Sequence, residues 1–339
     1  MKKTVRTVGF KAGERNVFLH ILTACNLSCS HCYINTEQHG TNMLERHQME
    51  DWIRLFADKK KRTNIIFLGG EPTMHPDLVH GLKVARQCGY DITVDTNGYL
   101  FHDFLERVTP DMLDFLSFSL DGPDPEINDP IRGEGVFETC TVNLKKAAAR
   151  GFNTSLIYTV SNRNIDHLHR MAALLASLGV KTFFIQVIGL RGRSAHPGDD
   201  DKTAVQVDPR RWLEVVPEVA TRVSELGIEV VYPKVFLDGD ERFECAGNVA
   251  ENFFVFPNGR VYQCPLCEDY PVHSFEINDN RLIKRVGLTE ENFFGLDIAE
   301  GCVMNKLLQP ETITYDENGV PRHRISCCLV KNRISPAAP

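Results

Sequence analysis

The chain has 339 residues, 42% of them hydrophobic and 24% charged, with a formal net charge of −7. That length accommodates one large domain and a smaller extension, and no apolar run approaches the roughly 20 residues of a membrane helix. The acidic balance, with no basic block beyond Lys59-Lys60-Lys61-Arg62, excludes a nucleic-acid-binding face, and that short run reads as a solvated helix end.

The N-terminus, Met1-Lys-Lys-Thr-Val-Arg-Thr-Val, is basic but runs into Gly9-Phe-Lys-Ala-Gly-Glu-Arg instead of an apolar secretory segment, so the protein is expected to be soluble and cytoplasmic. Thiols stay reduced there, and the 11 cysteines point to metal or catalytic roles, not to a disulfide framework. Cys88 and Cys140 stand alone on expected helices and read as small buried hydrophobes. The other nine form an early group (Cys25, Cys29, Cys32) and a late one (Cys245, Cys264, Cys267, Cys302, Cys327, Cys328).

Short β-rich apolar runs alternate with amphipathic stretches over the first two-thirds of the chain, the pattern of βα units around a parallel sheet. Strands are expected at 17–22, 65–68, 92–96, 115–119, 155–160, 183–188 and 228–232. Helices are expected at 47–58, 77–88, 101–107, 137–150, 164–178 and 208–226. Five strand ends are polar or glycine-rich: Thr23-Ala-Cys, Gly69-Gly-Glu-Pro, Thr96-Asn-Gly, Ser119-Leu-Asp-Gly and Gly189-Leu-Arg-Gly-Arg. In parallel α/β folds such ends gather to form a site. The stretch 191–202 is polar and turn-rich, an expected exposed loop near the cavity mouth. After about residue 235 the alternation gives way to turns, short strands at 252–256 and 261–263, and cysteines. The expected division is an N-terminal segment 1–15, a main domain 16–235 and a small metal-supported extension 236–339.

Cys25-x3-Cys29-x2-Cys32 lies directly after the first expected strand. Three thiolates on one loop can hold an iron–sulfur cluster and leave one iron open for a substrate. A structural zinc ion is the competing reading, but it prefers four closed ligands from paired units, and apart from His31 no nearby partner follows. The run Cys25-Asn-Leu-Ser-Cys29-Ser-His-Cys32-Tyr33, followed in order by the strand-end motifs, resembles the radical S-adenosylmethionine superfamily over about residues 16–235. The resemblance implies a partial (β/α)6 TIM-type barrel with a small cysteine-rich α+β extension. It also implies a [4Fe–4S] cluster whose open iron takes the amino and carboxylate groups of S-adenosylmethionine. Reductive cleavage then gives methionine and a 5′-deoxyadenosyl radical that abstracts hydrogen from substrate. His31 stands where the family usually carries an aromatic residue, and it still offers a flat ring.

Gly69-Gly70-Glu71-Pro72 allows a ligand to approach the backbone closely, and Glu71 supplies an acceptor for an ammonium group. By resemblance, Gly69, Gly70 and Glu71 form the amino-group site. Thr96-Asn97-Gly98 is corroborative and equally readable as an Asn-Gly turn. Ser117, Ser119 and Asp121 alternate on one strand face, suited to ribose hydroxyls or a carboxylate. Ser119 is the ribose candidate and Asp121 a second one, with an Asx turn as the alternative for Asp121. Arg132 is expected in a loop, suited to clamping a carboxylate and equally readable as a solvated arginine. By resemblance, Gly189 and Leu190 border adenine.

In the late group, Phe253-Phe-Val-Phe-Pro-Asn-Gly reads as a hairpin flanked by thiols. Cys245-x13-Gly259-x4-Cys264 looks like the opening of the extension called SPASM, or of its shortened twitch form, over about residues 240–330. The compact Cys-x2-Cys-x5-Cys-x3-Cys segment of the full pattern is absent, which implies one auxiliary [4Fe–4S] cluster, with Cys245, Cys264, Cys302 and Cys327 as its expected ligands. Zinc on Cys264-x2-Cys267 and two later cysteines is the competing reading. Two clusters would bring about eight irons per chain.

The resemblance therefore implies a radical enzyme served by an electron donor such as flavodoxin or ferredoxin. Only 24 residues precede Cys25, which favours a small-molecule or short-peptide substrate, with dehydrogenation, epimerisation or rearrangement as the reaction. A maturase of a ribosomally made peptide is the second reading. A noncatalytic metal-binding or redox-sensing protein is a third, against which the Gly-Gly-Glu-Pro and Ser-Leu-Asp-Gly motifs speak.

Overall fold

The computed structural model describes residues 13–101, 103–195, 205–238, 241–310 and 313–336, together with the backbone of residues 3 and 4. Most of the expected N-terminal segment 1–15, and residues 196–202 of the expected mouth loop, lie outside the described residues.

Seven strands run parallel in chain order: β1 (Glu14–His20), β2 (Arg62–Leu68), β3 (Asp91–Thr96), β4 (Phe115–Ser119), β5 (Thr154–Val160), β6 (Thr182–Val187) and β7 (Glu229–Pro233). Between them lie α1 (Arg46–Leu55), α2 (Leu78–Gln87), α3 (Pro125–Arg132), α4 (Val136–Ala149), α5 (Met171–Leu178) and α6 (Pro209–Ser224). This is the expected α/β architecture with a parallel central sheet. Parallel neighbours need a crossover connection, and amphipathic helices supply it while covering one face of the sheet.

Alternation along the strands separates two faces. Val17, Leu19, Ile65, Phe67, Ile92 and Val94 are fully buried in the core shared with the helices. Burying each such side chain contributes roughly 1.5–3 kcal/mol relative to leaving it exposed. The other face, which lines the barrel lumen, is mixed: Asn64, Thr93, Asp95, Ser117, Ser155 and Thr159 occupy intervening positions together with the apolar Phe18, Ile66, Ile157 and Phe184. Asn64 Nδ2 donates to Asn16 Oδ1 at 2.8 Å, and Asn16 Nδ2 donates to Asn252 Oδ1 at 3.1 Å, a side-chain ladder across three strands.

The extension is built onto both edges of this sheet. β8 (Glu251–Val255) pairs parallel with β1, and the hairpin strands β9 (Arg260–Tyr262), β10 (Phe275–Asn278) and β11 (Arg281–Lys284) continue outward, antiparallel. At the opposite edge β12 (Lys331–Ile334) pairs antiparallel with β7. Twelve strands thus share one sheet, in the order β11-β10-β9-β8-β1-β2-β3-β4-β5-β6-β7-β12.

Several expected boundaries move. β1 and β2 begin at Glu14 and Arg62, three residues before the apolar runs, because lumen-facing asparagines and charged edge residues pair as well as valine does. The stretch expected as one helix at 164–178 is a 3₁₀ segment (Ile165–Arg170) followed by α5. Arg132 is the last residue of α3, not a loop residue. Asp124 caps that helix by accepting from the Ile127 N–H, and Pro125 occupies its first turn, where no intrahelical donor is lost. Cys140 is fully buried in the core, as expected, whereas Cys88, at the end of α2, is half-buried and packs against that core.

Candidate functional site

The loop after β1 brings the three early cysteines together at the strand ends, and the backbone of the next strand end pins it. Gly70 N–H donates to Leu22 O and Glu71 N–H donates to Ala24 O, both at 3.0 Å. A Cβ on Gly70 would lie 2.0 Å from Ala24 O, and one on Gly69, whose φ is +152°, would lie 2.2 Å from Leu22 O. Both glycines are therefore required by the close approach of the cysteine loop itself.

Glu71 is buried, and its carboxylate is fully engaged by the protein. Oε1 accepts from Thr73 N–H (3.1 Å), Thr73 Oγ1 (2.6 Å) and Thr96 Oγ1 (2.7 Å), while Oε2 accepts from Asn97 N–H (2.7 Å). Its side chain thus ties two strand ends together, with three donors on Oε1 and one on Oε2. Asn97 passes this order on to the cysteines, donating through Nδ2 to Asn26 Oδ1 at 2.9 Å and lying 3.7 Å from Cys25 Sγ. The Asn26 Nδ2 donor beside Cys25 is buried and has no partner among the described residues.

Burial pushes the Cys25 thiol up to about 11 and raises that of Cys29 as well. The free thiols are neutral, so a metal that takes them as thiolates displaces their protons. Three thiols on one loop and an unused buried donor beside them suit an iron–sulfur cluster whose sulfur atoms accept hydrogen bonds. Among the described residues, no three His, Cys, Asp or Glu side chains stand at the spacing of a single-ion site.

Asp121 is fully buried, accepting from Thr159 N–H at 2.7 Å, and its other oxygen meets His31 Nε2 at 2.5 Å and Arg132 Nε at 2.6 Å. Burial raises its pKa, but Arg132 and then His31 outweigh burial and hold it at about 2. Neither the ribose contact nor the Asx turn expected of Asp121 describes it; it orients the histidine of the cysteine loop. Arg132 clamps a carboxylate as expected, and the carboxylate is the protein's own. Ser119 is half-buried on the lumen face, with no side-chain partner among the described residues. A recess of about 40 Å³ beside His31 is lined by Ile131, Ser161, Ile188 and Val205. Ile188 reaches this recess; of the two residues expected at adenine, Gly189 faces Leu266 and Arg191, and Leu190 is buried.

Cys264, Cys267, Cys302, Cys327 and Cys328 join a second apolar cluster around Phe254, Phe256 and Tyr262, and Cys245 lies near Cys264, Cys302 and Cys327. Cys245 begins the short helix Ala246–Val249, and Cys302 caps α7 (Val303–Leu308). The buried carboxylate of Glu290 accepts from Gln263 N–H (2.7 Å), Cys264 N–H (2.9 Å) and Ser274 Oγ (2.8 Å), fixing the backbone at Cys264. Burial, then neighbouring thiols, raises the pKa of Cys245 and Cys302.

Sequence reasoning missed the link between the two groups. Arg191 Nη1 donates to Pro265 O at 2.7 Å and to Glu268 Oε2 at 2.5 Å, and its guanidinium lies 4.8 Å from the Tyr33 ring centroid. Tyr33 meets His20 Nε2 at 2.8 Å, and His20 stacks on Phe256, which stacks on His39. The only signal was positional: Tyr33 follows Cys32, and Pro265 and Glu268 follow Cys264 and Cys267.

Residues 19–175 match the Radical SAM superfamily. The mycofactocin maturase MftC of Mycolicibacterium smegmatis is 31% identical over 264 residues, covering 71% of this chain and 62% of that protein. The PqqA peptide cyclase of Ruegeria pomeroyi is 25% identical over 273 residues, covering 77% of this chain and 70% of that protein. The crystal structure of Streptococcus suis SuiB bound to its precursor peptide SuiA shares the fold, with a TM-score of 0.61 at 14% identity, covering 90% of this chain and 66% of that one. The chain thus spans about three-fifths of the length of the maturase it matches.

Proposed function

We propose, from the match of residues 19–175 to the Radical SAM superfamily, that this protein cleaves S-adenosylmethionine reductively and turns the resulting radical on a peptide. The supporting observation is the single loop that holds Cys25, Cys29 and Cys32 at the strand ends, pinned by Gly70 and Glu71 through backbone hydrogen bonds of 3.0 Å. When bound there, a [4Fe–4S] cluster supplies the electron that breaks the S–C5′ bond, giving methionine and a 5′-deoxyadenosyl radical that removes hydrogen from substrate.

The chain's own residues bind and orient. Cys25, Cys29 and Cys32 give up their protons to hold iron and leave one corner for the amino acid end of the cofactor. Gly69 and Gly70 offer backbone at that corner, and Glu71 keeps it rigid from behind. Ser119 has a free hydroxyl for the ribose, and Asp121 serves indirectly by holding His31. Gly189 and Leu190 back the adenine side, where Ile188 and His31 meet. Cys245, Cys264, Cys302 and Cys327 hold a second [4Fe–4S] cluster in a SPASM-like or twitch-like extension, and a flavodoxin or ferredoxin supplies electrons.

Support for a peptide substrate comes from the PqqA peptide cyclase and from the SuiB–SuiA complex. The test is incubation of the reduced, anaerobically reconstituted protein with S-adenosylmethionine and deuterated candidate peptides, including any small peptide encoded beside its gene. The expected result is a mass change in the peptide with transfer of its deuterium into 5′-deoxyadenosine. Deuterium transfer from small metabolites but from no such peptide would contradict the peptide assignment.

A further inference from the structure

The buried acids around the barrel mouth are matched by the protein, with one exception. Asp121 has Arg132 and His31, Glu268 has Arg191, and Glu71 has Thr73, Thr96 and Asn97. Asp95 has the hydroxyl of Ser117 alone. It lies on the lumen face of β3, directly opposite Ser117 on β4, which is in turn opposite Ser155 on β5. The two serine hydroxyls are 2.5 Å apart, so one row of polar groups crosses three strands and ends at the carboxylate. The charged group acting on Asp95 is Glu71, of the same sign; no Lys, Arg or His among the described residues offsets it. Burial, with Glu71 adding to it, raises Asp95 to about 7. Asp95 nonetheless keeps partial solvent access.

A charge taken out of water is retained where it is paired. We propose that Asp95 is the recognition residue for a protonated primary amine of the substrate, and that this cation completes the pairing that the protein leaves open. The inference rests on the lumen being the substrate's place, as the proposed function has it. A lysine-like side chain and a free amino terminus both carry the required group.

The test uses the full chain with its clusters in the oxidised state and with S-adenosylmethionine present. Binding of n-pentylammonium is compared with that of n-pentanol by saturation-transfer NMR, with Nα-acetyl-lysine amide and alanyl-glycine amide as arms that separate the two sources of the amine. The wild-type protein is expected to prefer the ammonium over the alcohol at least tenfold, and Asp95→Asn to abolish that preference while leaving affinity for S-adenosylmethionine unchanged. Ser117→Ala, which keeps the carboxylate, is expected to retain the preference and guards against a misfolded Asn variant. Equal binding of ammonium and alcohol by the wild-type protein would overturn the proposal. So would a preference that survives Asp95→Asn, or an equal loss of S-adenosylmethionine affinity in that variant, since the carboxylate would then serve the cofactor's own amine. None of these readouts needs reduction or turnover, so they stand apart from the test of S-adenosylmethionine cleavage.

Discussion

At the scale of single residues, the informative side chains are acids whose partners fix their roles. Asp121 is held by Arg132 and His31, and Arg132 itself is only 7% exposed. Removing the carboxylate's charge leaves a buried guanidinium without its partner, which costs on the order of 3–5 kcal/mol. Asp121→Asn is therefore expected to lower unfolding free energy by that amount in urea titrations at neutral pH. The folded pKa of about 2 lies below the ordinary value of 3.8. The ionised form is thus favoured in the folded state, and its stabilisation, about 2–3 kcal/mol from this shift, is complete above about pH 4 and lost as pH falls through about 2. The gap between wild type and variant should narrow over that interval; a gap constant from pH 5 to pH 2 would show that Asp121 is not the ionised partner. That Asp121 would serve histidine and arginine was not legible in the sequence, because His31 and Arg132 lie 90 and 11 residues away and only the fold brings them together.

Among elements, the decisive contact is between the cysteine loop and the end of β2. The Gly-Gly-Glu-Pro motif was readable as a site component, yet its physical reason was not: the glycines make room for Leu22 and Ala24 of the protein itself. In Gly70→Ala the new Cβ meets backbone 2.0 Å away, so the loop must shift. On the two-cluster reading proposed above, the expected outcome is loss of the early cluster alone, with iron falling from about eight to about four per chain while far-UV circular dichroism is retained. Full iron content in that variant would separate the motif from the cluster. The parallel strands were legible because their core-facing residues form apolar runs. Their true beginnings were hidden by lumen-facing residues such as Asn16 and Asn64, whose polarity mimics a loop.

At the level of the whole molecule, the late third of the chain is no appended lobe in its strand pairing: β8 and β12 close on opposite edges of the barrel sheet. Edge strands of a parallel sheet expose unpaired backbone donors and acceptors, and this arrangement covers both. The same arrangement lets Arg191 reach Pro265 and Tyr33 at once, joining the segments that carry the two cysteine groups. The meeting of Cys245, Cys264, Cys302 and Cys327 was readable from the late cysteine pattern, but the carboxylate of Glu290 that fixes Cys264 was not, since it enters from 26 residues downstream.

The central claim is that three cysteines of one loop hold a cluster that opens S-adenosylmethionine. It is tested most directly by quantifying 5′-deoxyadenosine and methionine after dithionite reduction of the anaerobically reconstituted protein. The account predicts both products in equal amounts from the wild-type chain, and at least a hundredfold less after joint replacement of Cys25, Cys29 and Cys32 by alanine, with the late cluster's iron retained. A wild-type chain that carries its full complement of iron and yields no 5′-deoxyadenosine would contradict it.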